Sequence, residues 1–194
     1  MIRLCRISPT CDKSLPRPSE FFPVAPGAPL LRFQACAHLL RRLDSAMDCL
    51  ERMAGALGRR SSLWSTSPID CPPESPDFIN AAMVLRISRG VTPEAWLLET
   101  QALERKLGRR PKAELNEARP LDIDLISWGQ ETRATSHLIL PHPRAYRRRF
   151  VLQPLAELVP DLVLLGQSLT VAQLLEKCPA DPHFKCLTPR NHSR

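Results

Sequence analysis

Aromatic residues make up only 5% of this 194-residue chain, so the few present are worth locating. There is no C-x-x-C pair among Cys5, Cys11, Cys36, Cys49, Cys71, Cys178 and Cys186, and their number is odd. A zinc site of ordinary spacing is therefore unsupported, and reduced thiols in a cytosol are the simpler reading. No uninterrupted apolar stretch approaches the length of a membrane span. No long apolar run follows Met1-Ile-Arg-Leu-Cys-Arg, so no secretory signal is read. There is no internal repeat. These absences predict a cytoplasmic chain without a membrane partner.

What is present supports one domain with tails. Hydrophobic residues reach 43%, enough for a core, and the net charge of +7 favours an anionic partner. Residues 1–29 carry six prolines, a density that blocks helices and central strands, and are read as a disordered extension. Leu31, Phe33 and Ala35 alternate as in a short strand. Leu39, Leu43, Met47, Leu50, Ala54 and Leu57 recur at helical spacing, closed near Gly55 or Gly58. Residues 65–78 read as a proline-rich loop and Ile79–Ser88 as a strand. Thr92 caps a second helix with Pro93 at its first position, and Gly108 ends it. A basic loop, Arg109–Ala118, leads to the strand "RPLDIDLISW", and Gly129-Gln130 turns out of it. A short strand and a second basic loop follow over His137–Phe150. "VLQPLAEL" and "LTVAQLLEKC" are short helical segments. Residues 30–178 are taken as the domain and 179–194 as an untethered tail. This order predicts an antiparallel sheet with helices on one face.

The stretch "ARPLDIDLI" poses the chemical question. Side chains alternate along a strand, so Asp122 and Asp124 share a face, roughly 7 Å apart at their Cα atoms. Two carboxylates so placed suit hard cations that share phosphate oxygens with a substrate. By itself, D-x-D is more simply read as the polar side of a one-faced strand. The basic loops shift that balance. One carries Arg105, Lys106, Arg109, Arg110, Lys112 and then Arg119; the other carries His142, Arg144, Arg147, Arg148 and Arg149. Arginine grips phosphate bidentately, although a solvated basic surface is also common. Gln101 and Glu104 share a helix face, where such a pair is more often simply exposed. Phe78 and Phe150 each stand beside a motif and are placed to sandwich a flat ring, or to fill the core. Asn80, two residues after Phe78, is suited to read a donor–acceptor edge or to hold a strand end.

Four segments, "PDFINAA", "TQALERKLGR", "RPLDIDLI" and "LPHPRAYRRRFVLQPL", stand in an order and spacing that resemble the 6-hydroxymethyl-7,8-dihydropterin pyrophosphokinase family, from about Leu39 to Leu175. The combination is specific, although no single piece is. The resemblance implies an α+β fold with a ferredoxin-like antiparallel sheet and helices packed on it. It implies pyrophosphoryl transfer from ATP to the pterin hydroxymethyl, leaving AMP. Asp122 and Asp124 would hold two Mg²⁺ ions. Phe78 and Phe150 would stack on the pterin and Asn80 read its edge, beside a loop matched by Thr66, Ser67 and Ile69. Gln101 and Glu104 match ATP-contacting positions. Leu125, His137 and Ile139 match the walls of the adenosine pocket. Arg119, His142 and Arg148 match groups that bind or neutralise the phosphates. A monomer without a nucleic-acid partner is expected.

The chain departs from the family pattern at its first strand. Family members usually carry a strand ending in Gly-Ser-Asn, and "LLRFQACAH" stands in its place. Three readings follow: the start was missed, Leu30–Cys36 substitutes, or the chain is a degenerate relative that at most binds Mg-ATP. Pro111, Asn116, Glu117 and Pro143 are departures of ordinary loop size. A small basic RNA-binding domain on the same kind of sheet is a remoter alternative; its aromatic "KGFGFVxF" string is absent.

Overall fold

The computed structural model describes residues 28–36, 40–66, 77–88, 90–109 and 120–188. Its order is β1 (Pro29–Cys36), α1 (Leu40–Ala54), β2 (Arg59–Arg60), β3 (Leu63–Thr66), β4 (Phe78–Val84), α2 (Pro93–Lys106), β5 (Asp122–Trp128), β6 (Arg133–Ala134), β7 (Ile139–Leu140), α3 (Arg149–Leu158), α4 (Val171–Lys177) and β8 (Lys185–Thr188). The main sheet is antiparallel in the order β5-β1-β4-β3-β8, with the two-residue β2 also on β4. Strand and helix order make this the expected α+β, ferredoxin-like arrangement.

The first-strand question has a structural answer. β1 is central, paired with β4 from Leu30 to Cys36 and with β5 from Pro29 to Gln34. The ladder that a missing strand would have left open is closed by Leu30–Cys36. Pro29, which has no N–H to donate, stands at the strand's first residue, where that loss is tolerated.

Alternation explains one layer. Leu31, Phe33 and Ala35 of β1, Ile79, Ala81 and Met83 of β4, and Ile123 and Leu125 of β5 point to one face. There they meet Leu43, Ala46, Met47 and Leu50 of α1 and Trp96 and Leu103 of α2. α1 ends where Gly55 turns at φ +66, a conformation glycine enters without strain. Leu57, counted in the helical repeat, lies beyond that end and is 85% exposed. α2 has the expected punctuation: the Thr92 side chain accepts from the Ala95 N–H, and Gly108 lies past the end at φ +101.

Three expectations are corrected. Helices cover both faces of the sheet, not one. Leu30, Ala82, Val84 and Ile126 are apolar on the second face and pack against Val151, Leu152 and Leu155 of α3 and Val171 and Leu174 of α4. β4 is buried at all seven positions, as a strand covered on both sides must be. It also ends at Val84, before Arg86 and Ser88, which are exposed. The tail is not free throughout: β8 pairs with β3. The proline-rich extension up to residue 27 and the last six residues lie outside the described residues. No helix among the described residues is long and apolar enough to cross a membrane.

Candidate functional site

The second face of the sheet is apolar only at one end. At the other end Asp122 and Asp124 of β5, Arg32 and Gln34 of β1, and Asn80 of β4 are cross-strand neighbours: Asp124 opposite Arg32, and Asp122 opposite Gln34, itself opposite Asn80. Asp122 and Asp124 therefore do share a face, and Ile123 and Leu125 between them fill the core. Thr66 adds a hydroxyl from β3, accepting from the Asn80 amide at 2.9 Å. Phe150, in the first turn of α3, brings its ring over this polar floor, 4.6 Å from the Arg32 guanidinium carbon and 5.4 Å from that of Arg148. Phe78 is buried on β4, opposite Thr66.

Arg32 is the residue the sequence reading missed. Its Nη1 donates to Asp124 Oδ2 at 2.5 Å, and its Nη2 donates to Gln34 Oε1 at 2.5 Å and Asn80 Oδ1 at 3.1 Å. The signal was available. Arg32 and Gln34 alternate with Leu31, Phe33 and Ala35 just as the two aspartates alternate with their apolar neighbours.

A cleft of about 290 Å³ opens beside β5. It gathers Asp124, Leu125, His137, Ile139 and His142 with Leu97 and Pro143, so the expected adenosine walls and one aspartate border one space. The backbone N–H of His142 donates to the Ile126 carbonyl at 2.8 Å, tying this loop to β5. Burial lowers the His142 pKa, and Arg148, Arg144 and Arg32 lower it further against the pull of Asp124, so the ring is neutral at pH 7. Its Nδ1 accepts the Arg144 N–H at 3.3 Å, which puts the proton on Nε2 as a donor. Burial, with Arg144 and Arg32 nearby, also lowers the Arg148 pKa, but a guanidinium so placed stays charged.

Glu104 is buried rather than exposed. It is 1% exposed, with Oε1 accepting the Ile123 N–H at 2.7 Å and Oε2 paired with Arg109. Burial raises its pKa and the charge of Asp122 adds to this, while the Ile123 N–H and Arg109 pull it back. In this conformation Glu104 braces β5 against α2 and has no oxygen turned to solvent. Gln101, one turn earlier, is half-buried. Arg109 also lies 3.4 Å from Asp122. Glu104→Ala should cost about 2 kcal/mol in urea unfolding, because the Ile123 N–H and Arg109 lose their acceptor together. Glu104→Gln, which keeps the first contact, should recover half or more. A loss under about 0.5 kcal/mol for the alanine variant would contradict the bracing role.

Ser67, Ile69 and Arg119 lie outside the described residues, as do Pro111, Asn116 and Glu117. Among the described residues no three His, Cys, Asp or Glu side chains form a metal cluster, and Cys49, Cys178 and Cys186 are free thiols.

Residues 35–160 match the family model described as 7,8-dihydro-6-hydroxymethylpterin-pyrophosphokinase. The chain is 38% identical over 139 residues to the 2-amino-4-hydroxy-6-hydroxymethyldihydropteridine pyrophosphokinase of Synechocystis sp., covering 72% of this chain and 69% of that protein. It is 32% identical over 126 residues to the protein of the same name from Haemophilus influenzae, covering 64% of this chain and 76% of that one. It matches 73% of its own length to the folic acid synthesis protein fol1 of Pneumocystis carinii at 32% identity, but only 19% of that longer protein. The solved Plasmodium falciparum HPPK-DHPS structure shares the fold, with a TM-score of 0.61 and 13% identity over 78% of this chain and 41% of that one.

Proposed function

Because this chain belongs to the 7,8-dihydro-6-hydroxymethylpterin-pyrophosphokinase family, we propose that it transfers the pyrophosphoryl group of ATP to the hydroxymethyl of 6-hydroxymethyl-7,8-dihydropterin, releasing AMP, as a step of folate biosynthesis. The observation that carries this reading is the placement of Asp122 and Asp124 on one sheet face, between a cleft on one side and Asn80 and Phe150 on the other.

The donor set fits magnesium. Asp122 and Asp124 offer oxygen ligands only, both half-buried, and two carboxylates leave coordination positions for phosphate and water, as Mg²⁺ prefers. Two ions held there would neutralise charge on the phosphate oxygens. The chain's own residues do the rest. Leu125, His137 and Ile139 wall the adenosine, and Gln101 of α2 matches an ATP-contacting position of the family. His142, as an Nε2–H donor, and the cations of Arg148 and Arg119 hold phosphate oxygens. Phe78 and Phe150 seat the pterin ring, and Asn80 reads its edge beside Thr66. The hydroxymethyl oxygen attacks the β-phosphorus in line. The bond from that phosphorus to the α–β bridging oxygen breaks, AMP leaves with the oxygen, and the hydroxyl proton passes to solvent. Positioning and charge carry the rate, so no strong general base is needed. The chain works as a cytoplasmic monomer, with no nucleic-acid or membrane partner.

The test is AMP release with Mg²⁺ and ATP, with and without the pterin. Pterin-dependent AMP supports the reading, and folded protein giving none rejects it. One observation favours a second reading, a relative that binds Mg-ATP without turnover: both aspartates are paired with arginines, Asp124 with Arg32 and Asp122 with Arg109. That reading predicts nucleotide binding in the same sample that yields no AMP. Within the first reading, Phe150→Ala should weaken pterin binding about tenfold, the scale of one stacked heterocycle, and a bound ATP analogue by less than about threefold. Equal losses for the two ligands would reject the stacking assignment.

A further inference from the structure

The proposed reaction assigns no task to the most central charged side chain of the site. Arg32 is 3% exposed, in the middle of the central strand. A charge so deep must be satisfied by neighbours. Arg32 finds these in Asp124, Gln34 and Asn80, and it lays its flat guanidinium on the Phe150 ring. The fit is incomplete, since its Nε is buried without a hydrogen-bond partner among the described residues. The Asn80 amide nitrogen donates one bond to Thr66, and its carbonyl, the group that would accept from a bound donor, already accepts from Arg32.

Arg32 thus engages three groups that the proposed chemistry needs: the ring of Phe150, the carbonyl of Asn80 and the carboxylate of Asp124. Its chemistry matches the substrate's. A guanidinium and the 2-amino edge of a pterin both present a planar carbon bonded to three nitrogens, with N–H donors in the plane. Both cannot occupy the same ring face, and both draw on the same Asn80 carbonyl. We infer that Arg32 is a built-in occupant of the pterin seat. It competes with the pterin for Phe150 and Asn80 and with the metal for Asp124, and it must leave before the reactive complex forms. This inference rests on the pyrophosphokinase reading.

The experiment titrates 6-hydroxymethyl-7,8-dihydropterin by calorimetry into the full chain, Arg32→Ala and Arg32→Lys, each with Mg²⁺ and a non-hydrolysable ATP analogue. If the seat is free about a tenth of the time, apparent affinity is reduced by that fraction. Arg32→Ala should then bind the pterin about tenfold more tightly than the unaltered chain. Arg32→Lys keeps a charge for Asp124 but has no flat face, and should fall between them. Methylguanidinium should compete with the pterin in Arg32→Ala. Equal or weaker binding by Arg32→Ala, with the pterin still bound by the unaltered chain, overturns the occupant role alone. Should a thermal melt show Arg32→Ala unfolded, Arg32→Lys decides: tighter binding supports the inference, and equal or weaker binding overturns it. Absence of pterin binding by all folded proteins, with the nucleotide analogue bound, overturns the pyrophosphokinase reading and the inference together.

Discussion

Asp124→Ala is expected to lower pterin-dependent AMP formation by at least about a thousandfold, roughly 4 kcal/mol of transition-state stabilisation. The carboxylate borders the cleft and faces Arg32 at 2.5 Å, so on the proposed reading it is where nucleotide and metal would meet the sheet. On that reading, removing it would delete a metal ligand oxygen where phosphate charge has to be offset. The fold should survive, because Arg32 retains Gln34 and Asn80 as acceptors. Leaving a buried guanidinium without its anion still costs stability, so a lower melting temperature is expected. Asp124→Asn separates the two effects: it keeps an oxygen for Arg32 and loses the charge for the metal, so stability should return and activity should not. Turnover near that of the unaltered chain in either variant would sink the metal-cradle role.

Phe33→Ala should cost about 3–5 kcal/mol, the range for removing a buried phenylalanine. Phe33 is fully buried in the central strand, flanked by Ala81 of β4 and Ile123 of β5. A loss on that scale is a large part of the roughly 5–15 kcal/mol that holds a domain folded. Leu187→Ser on β8 is the control, since that residue is 43% exposed at the sheet edge and should change stability by less than about 0.5 kcal/mol. Urea midpoints for the two variants decide the matter. A Phe33→Ala variant as stable as the control would mean that Leu30–Cys36 does not hold the central position.

Local pattern was enough for much of this molecule. The Leu31-Phe33-Ala35 alternation marked the strand that fills the first position, and Thr92, Pro93 and Gly108 marked the limits of α2. The D-x-D spacing determined that Asp122 and Asp124 share a face, because side chains repeat every two residues on any strand. Tertiary structure decided what meets those faces. Arg32 reaches Asn80 across 48 residues and Asp124 across 92, so no short window shows that it sits in the site. Glu104 looked like an exposed helix residue until β5 was laid against it, turning its carboxylate into the acceptor for the Ile123 N–H. The second helical layer and the pairing of β8 have the same origin. Periodicity determines which way a side chain points; the assembled sheet determines what it finds there.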